Sequence, residues 1–190
     1  TTCIYNFDGG FSIMSELRTN RIVPRDGLPS GSSGGIIQVR STTLTTTATY
    51  AISGMTWTEV SGLTTTITPT RSDSKILCMV SIGAIASNGN NQRYAMALRR
   101  GSTNIGVNSD GSSHTRANWC YTGRDLGNAP DAHISYTYLD SPASTSAQTY
   151  KVMITTEGSY TLYINRSSGD SDSSSVFRAA STFTLMEISG

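Results

Sequence analysis

The sequence predicts an all-β fold, an antiparallel β-sandwich of jelly-roll type with an extended N-terminal arm. Three observations carry this expectation. Small hydroxylated residues dominate, with 29 Ser, 27 Thr and 18 Gly in 190 residues. Only four Glu and two Lys are present, which leaves little material for solvent-facing helices. Short apolar runs alternate with polar residues at period two, as pleated, half-buried strands require. Turn clusters such as Ser53-Gly54, Ser61-Gly62, Arg100-Gly101, Asp110-Gly111 and Gly127-Asn128 punctuate the chain, with no helical run between them. The regular apolar runs exclude a disordered Ser/Thr tract, which would bury too little apolar surface to offset its ordering entropy.

The chain divides at about residue 35. Residues 1–13 carry Ile4, Tyr5, Phe7, Phe11 and Ile13 around Gly9-Gly10, a sticky segment too small for a core of its own. Met14 reads as a natural translation start, which would make the first thirteen residues an upstream extension. From 15 to 35, Leu17, Ile22, Val23 and Leu28 are interspersed with Arg18, Arg21 and Arg25 and run into a Gly/Ser linker. Apolar residues on an arm without a domain suit docking on a partner, so Phe7, Phe11, Leu17, Ile22 and Leu28 are the anchoring candidates.

Residues 36–190 form the sandwich domain. Strands are expected at Ile36–Arg40, Thr45–Ile52, Thr56–Val60, Leu63–Thr68, Lys75–Ala86, Arg93–Arg99, Thr103–Val107, Thr115–Tyr121, Ala132–Leu139, Thr149–Thr155, Tyr160–Asn165 and Phe183–Ile188. Closely spaced short strands of this kind point to a double-sheet sandwich. The organising stretch is Gly62 to Ile82, a strand, a turn at Pro69–Ser74 and a longer strand. That longer strand is apolar on both faces: Ile76, Cys78, Val80 and Ile82 on one, Leu77 and Met79 on the other. Two dry faces imply a central strand whose outer face is covered, here by another copy of the chain. Leu77, Met79, Phe183 and Met186 are the candidates for that contact.

Several chemistries lack support. With 14% charged residues and a net charge of +1, there is no clustered basic surface for nucleic acid. No run of about 18 apolar residues exists to insert in a membrane. Three cysteines form no CxxC pair, and Cys78, inside an apolar strand, reads as a small buried hydrophobe. His114 and His133 have no neighbouring Glu or His at metal or triad spacing, and no hydrolase or phosphate-loop motif occurs. An enzyme is therefore not expected, nor any cofactor or metal. Asn108-Ser109-Asp110 and Asp170-Ser171-Asp172 place oxygen ligands at alternate positions but lack the distal Glu of a calcium loop. Asn165-Arg166-Ser167, formally a glycosylation sequon, reads as the end of a strand. Trp57 reads as a core anchor. Trp119, Tyr121 and Arg124, beside the long loop 122–131, are candidates for contact with a host-surface glycan, since sugar faces stack on aromatic rings.

The blocks TWTEVSGL (56–63), TITPTRSDSKILCMVSI (66–82), LRRGSTNIGV (98–107), YLDSPASTSAQTYKVMI (138–154), YINRSSGDSD (163–172) and STFTLMEI (181–188) carry a family likeness. Together with the opening MSELRTNRIVPRDGLPSGSSGG they closely resemble virion fibre-like proteins of marine bacteriophages, cyanophages especially. The likeness spans about residues 14–189 and leaves 1–13 outside. It implies a viral structural protein on the phage particle surface, a homotrimer with a head similar to those of tumour necrosis factor and complement C1q. It also implies that residues 1–35 tether the head to other virion proteins of capsid, portal or tail. Head decoration, head fibre and short tail-fibre knob all remain open, and a non-catalytic carbohydrate-binding module is the alternative.

Overall fold

In the computed structural model, residues 35–89, 92–110, 113–122 and 132–190 are described. The anchoring candidates Phe7, Phe11, Leu17, Ile22 and Leu28, and also Arg124, lie outside them. Among the described residues every regular element is a strand. In order these are β1 (Ile36–Leu44), β2 (Ala48–Ile52), β3 (Thr58–Ile67), β4 (Lys75–Ser87), β5 (Tyr94–Arg100), β6 (Thr103–Ile105), β7 (Trp119–Tyr121), β8 (Ala132–Asp140), β9 (Gln148–Thr156), β10 (Tyr160–Ile164) and β11 (Ser181–Ile188).

Two expected strands, Thr56–Val60 and Leu63–Thr68, are one. Ser61-Gly62 does not turn the chain; it makes a bulge against β9, where the register shifts between Glu59 and Thr64. Gly62 supplies the positive φ of 90° that such an irregularity needs. Trp57 precedes this strand, half-buried and outside the core cluster, so its expected role as a core anchor is corrected. The strand expected at Thr115–Tyr121 is reduced to β7. Asn118 takes over part of the ladder there, accepting from Leu98 N–H at 2.6 Å and donating to Ile105 C=O at 2.9 Å.

The strands form two antiparallel sheets. In the six-stranded sheet β4 is central: β8 runs along one edge, and β11 and β10 share the other. Outside these two lie β1, paired with β11, and β2, paired with β10. The five-stranded sheet runs β3, β9, β5, with β6 and β7 both on the far edge of β5. The pairs β5 with β6, β4 with β8, β3 with β9 and β1 with β11 are nested one inside the next, like a long hairpin. Pairing of β11 with β4, and of β9 with β5, rolls that hairpin into two layers. Ile76, Cys78, Val80, Ile82, Phe183 and Leu185 from one sheet meet Tyr94, Met96, Leu98, Tyr150, Val152 and Ile154 from the other in the core. Cys78 is buried as expected, and burial raises its thiol pKa, so it stays protonated.

Three buried polar groups tie the layers to their loops. Glu187 has no exposed surface; its carboxylate accepts from Gln38 Nε2 at 2.6 Å and from Thr70 N–H, Thr70 Oγ1 and Ser74 Oγ, each at 2.7 Å. Asp140 accepts from Arg100 and from the Tyr150 hydroxyl, both at 2.7 Å. Burial, reinforced by that bond, raises the Tyr150 pKa and keeps the hydroxyl a donor. Asn165, fully buried with φ 65°, donates to the carbonyls of Leu44 and Thr46 and accepts from Ser181 Oγ. It joins the β1–β2 corner to the start of β11, which rules out the sequon as a modification site in the folded chain.

Burial pushes the Glu187 pKa up, but the hydrogen bonds from Gln38, Ser74 and Thr70 outweigh it and hold the carboxyl below its ordinary value. Its stabilisation is therefore complete above the ordinary glutamate range, about 4.3, and is lost as pH falls through the lower folded value. Glu187→Gln places an amide donor against existing donors. It is expected to lower stability at pH 7 by roughly 1.5–3 kcal/mol and to flatten the loss of stability on acidification. Urea unfolding between pH 7 and pH 3 checks both effects.

Candidate functional site

The outer face of the six-stranded sheet follows from strand alternation and register. Residues directly opposite on paired strands share a face. Val39 is opposite Met186, Met186 opposite Leu77, and Leu77 opposite Leu139. This makes an unbroken apolar row across β1, β11, β4 and β8 on the side away from the core. Its ends are open in the single chain, Val39 at 48% and Leu139 at 50% exposure. The row before it holds Ile36 opposite Ile188, with Ile36 at 61% exposure. Lys75 stands beside Ile188 and donates its ammonium to Ser141 Oγ at 2.8 Å.

The next row is Ser41, Thr184, Met79 and Thr137, and the one after it Thr43, Thr182, Ser81 and Ser135. Ser41 and Thr184 hydroxyls bond each other at 2.8 Å, and Ser81 Oγ lies 3.3 Å from His133 Nε2. The face thus grades from apolar at one end to hydroxylated at the other. At the hydroxylated end Ala179 and Ala180 pass over Gly83, where a Cβ would collide with both. A contiguous exposed apolar patch of this kind is uncommon on monomers and marks an interaction surface.

Of the contact candidates, Leu77, Met79 and Met186 lie on this face. Phe183 does not. It is fully buried, opposite Val80 and Thr42, and its neighbours on that side are core residues. The alternation of β11 sends Ser181, Phe183, Leu185 and Glu187 inward and Thr182, Thr184, Met186 and Ile188 outward. Val39, Leu139 and Ile36, which complete the patch, were absent from the expected set.

The glycan candidates sit elsewhere and are placed differently from expectation. Trp119 and Tyr121 pair with Met96 and Tyr94 of β5 and turn to the core side. Tyr121 stacks on Tyr94 at 5.0 Å between centroids, and Trp119 lies 5.9 Å from the same ring. These rings pack on one another and offer no open stacking platform. The two histidines are not brought together: His133 is on β8, and His114 is in the loop before β7. No cluster of three metal-ligating side chains occurs among the described residues. Asp170, from the Asp170-Ser171-Asp172 sequence, is held by Arg178 at 2.9 Å and Arg166 at 3.1 Å. Arg178 first, then Arg166, keeps its pKa below the ordinary range.

No protein-family model matches the chain, and no curated protein matches it. Among solved structures it is similar to a structure of infectious bursal disease virus, Gx strain, at 10% identity and a TM-score of 0.37. The similarity covers 80% of this chain and 42% of that one. So distant a likeness carries no argument. The structure itself defines an antiparallel β-sandwich with an apolar row on the outer face of one sheet.

The two sides of β11 predict different mutational costs. Phe183→Ala opens a cavity in the core and is expected to cost about 3–5 kcal/mol. Thr184→Ala, one residue further on the outer face, should stay within about 1 kcal/mol. Denaturant unfolding of the two variants at matched concentration checks the difference.

Proposed function

We propose that this protein is a structural component of a phage virion, a homotrimeric surface appendage whose sandwich domain packs around a threefold axis. In this reading residues 1–35 anchor it to other virion proteins, and it performs no catalysis. One observation carries the proposal: the row Val39, Met186, Leu77 and Leu139 crosses four strands of the six-stranded sheet on its solvent side. Burying it against copies of the same chain removes apolar surface from water at about 25 cal/mol per Å². A closed ring satisfies every copy equally and leaves no surface open for runaway assembly. The hydroxyl rows beside it can pair across a subunit boundary without the cost of desolvating full charges.

The nested strand order supports the finer reading of a jelly roll, with the β1, β11, β4, β8 sheet facing the axis. The sequence blocks at 56–63, 66–82, 138–154 and 181–188 support placement on a phage particle through their likeness to marine phage fibre-like proteins. Head decoration, head fibre and short tail-fibre knob are all compatible with this reading.

Leu77→Glu places a carboxylate in the middle of the row. Light scattering on the purified full chain should give three times the chain mass for the natural protein and one times for the variant, with strand content retained. In phage carrying the variant, purified particles should lack the protein. A natural protein that stays monomeric at high concentration, or a trimeric variant, contradicts the assignment of this face.

A further inference from the structure

Two edges of the six-stranded sheet, β8 and β1, fit each other. Natural sheets blunt exposed edges with short strands, bulges, proline or charge, because an unpaired edge templates another strand. Most edges of this protein are blunted. β6 and β7 have three residues each, β2 has five, and β3 is interrupted between Glu59 and Thr64. β8 is different. It pairs with β4 without a break from Ile134 to Asp140, and that run holds no proline, lysine or arginine. Among the described residues, no hydrogen bond reaches the main chain of 135–139 from the side away from β4.

The second open edge belongs to β1. After the irregularity between Ile36 and Gln38, its pairing with β11 is regular to Leu44. Gln38 and Thr42 reach the carbonyls of Thr68 and Gly62 through their side chains. Among the described residues β11 is the one strand paired with β1. Three antiparallel pairings separate β1 from β8, so the two run in opposite directions. Rotating a copy about an axis along the strands keeps those directions. β8 of one copy then meets β1 of the next as an antiparallel pair.

Register makes the two edges complementary level by level. The rows of the outer face put Leu139 level with Val39, Thr137 with Ser41, and Ser135 with Thr43. Joined at that height, apolar meets apolar and hydroxyl meets hydroxyl, the cross-strand pairs that stabilise antiparallel ladders. On the inner side Arg40, which is exposed, is level with the half-buried Tyr138, a guanidinium beside a ring. A two-residue shift would set Val39 against Thr137, or Leu139 against Ser41, and lose the match.

We propose that copies of this chain join edge to edge, β8 of one pairing with β1 of the next in the register Leu139 to Val39. The inference rests on the trimer reading and names the contact that closes the ring. It covers both open ends of the apolar row, each about half exposed in the single chain.

Cysteine cross-linking tests the contact. Within one chain Val39 and Leu139 stand three strand spacings apart, roughly 14 Å. A disulfide spans at most about 7 Å between Cα atoms, so cysteines at these positions can bond only between copies. The full chain carries Cys3→Ser and Cys120→Ser, which leaves the buried Cys78. With Val39→Cys and Leu139→Cys added, oxidation should give a covalent ladder on denaturing gels that ends at three chains. Ser41→Cys with Thr137→Cys repeats the matched geometry and should bond as well, which guards against one pair failing to fold. Val39→Cys with Ser135→Cys is two rows out of register and should bond about ten-fold less or weaker still. Light scattering on the reduced samples separates the outcomes. A monomeric reduced chain overturns the trimer and this contact together. A trimer in which neither matched pair bonds, or in which the mismatched pair bonds equally, overturns the edge pairing alone. A ladder that stops at two chains or runs past three contradicts the closed ring.

Discussion

The structure depends on how β4 is paired. It has neighbours on both edges along its length, β8 on one side and β11 followed by β10 on the other. Its side chains can therefore leave only above or below the sheet. Period-two alternation sends Ile76, Cys78, Val80 and Ile82 to the core, and the same pleat forces Leu77 and Met79 outward. Register then aligns Val39, Met186 and Leu139 with Leu77. No sliding of one strand can hide the row, because a one-residue slip would carry the core set to solvent. The remaining remedy is a cover from outside, which the trimer proposed above would supply.

A chain with so few charges also has few ways to tie its loops down. It does so with buried groups that each serve several elements. Glu187 holds the start of β1 and the turn before β4, and Asp140 links β8, β9 and β5. Asn165 fastens the corner between β1 and β2 while its positive φ lets the chain leave β10. Each group is satisfied by neutral or charged donors at short range, so the few ionisable groups inside are not electrostatic liabilities. Thr65, Tyr121 and Thr155 are exceptions, each with a buried hydroxyl oxygen that has no partner.

Much of this was legible in the sequence. The two-sided apolar pattern of residues 75–82 marked the central strand and its apolar outer side, and turn residues located most connections. The direction of β11 was not legible, since Phe183 and Leu185 alternate with Met186 and Ile188 and both sides read as apolar. Only pairing with Val80 shows which side is the core. Val39 and Leu139 were invisible for a related reason: each is a single apolar residue on its own strand, and the row exists only across four strands distant in sequence. Trp119 misled because an aromatic near a loop can face either way, and stacking on Tyr94 decided it. Nothing in Thr155-Thr156 distinguishes an unpaired hydroxyl from a bonded one; Thr156 bonds Gly158 C=O and Thr155 bonds nothing.

The central claim is that the outer face of the six-stranded sheet is covered in the assembled protein. Methionine reactivity tests it directly, with an internal reference. In the single chain Met79, on β4, and Met55, in the turn before β3, have similar exposure, 40% and 50%. Dilute peroxide followed by peptide mass spectrometry on the concentrated full chain should oxidise Met55 readily and leave Met79 protected, with protection lost on denaturation. Equal oxidation of the two methionines under native conditions would contradict the account.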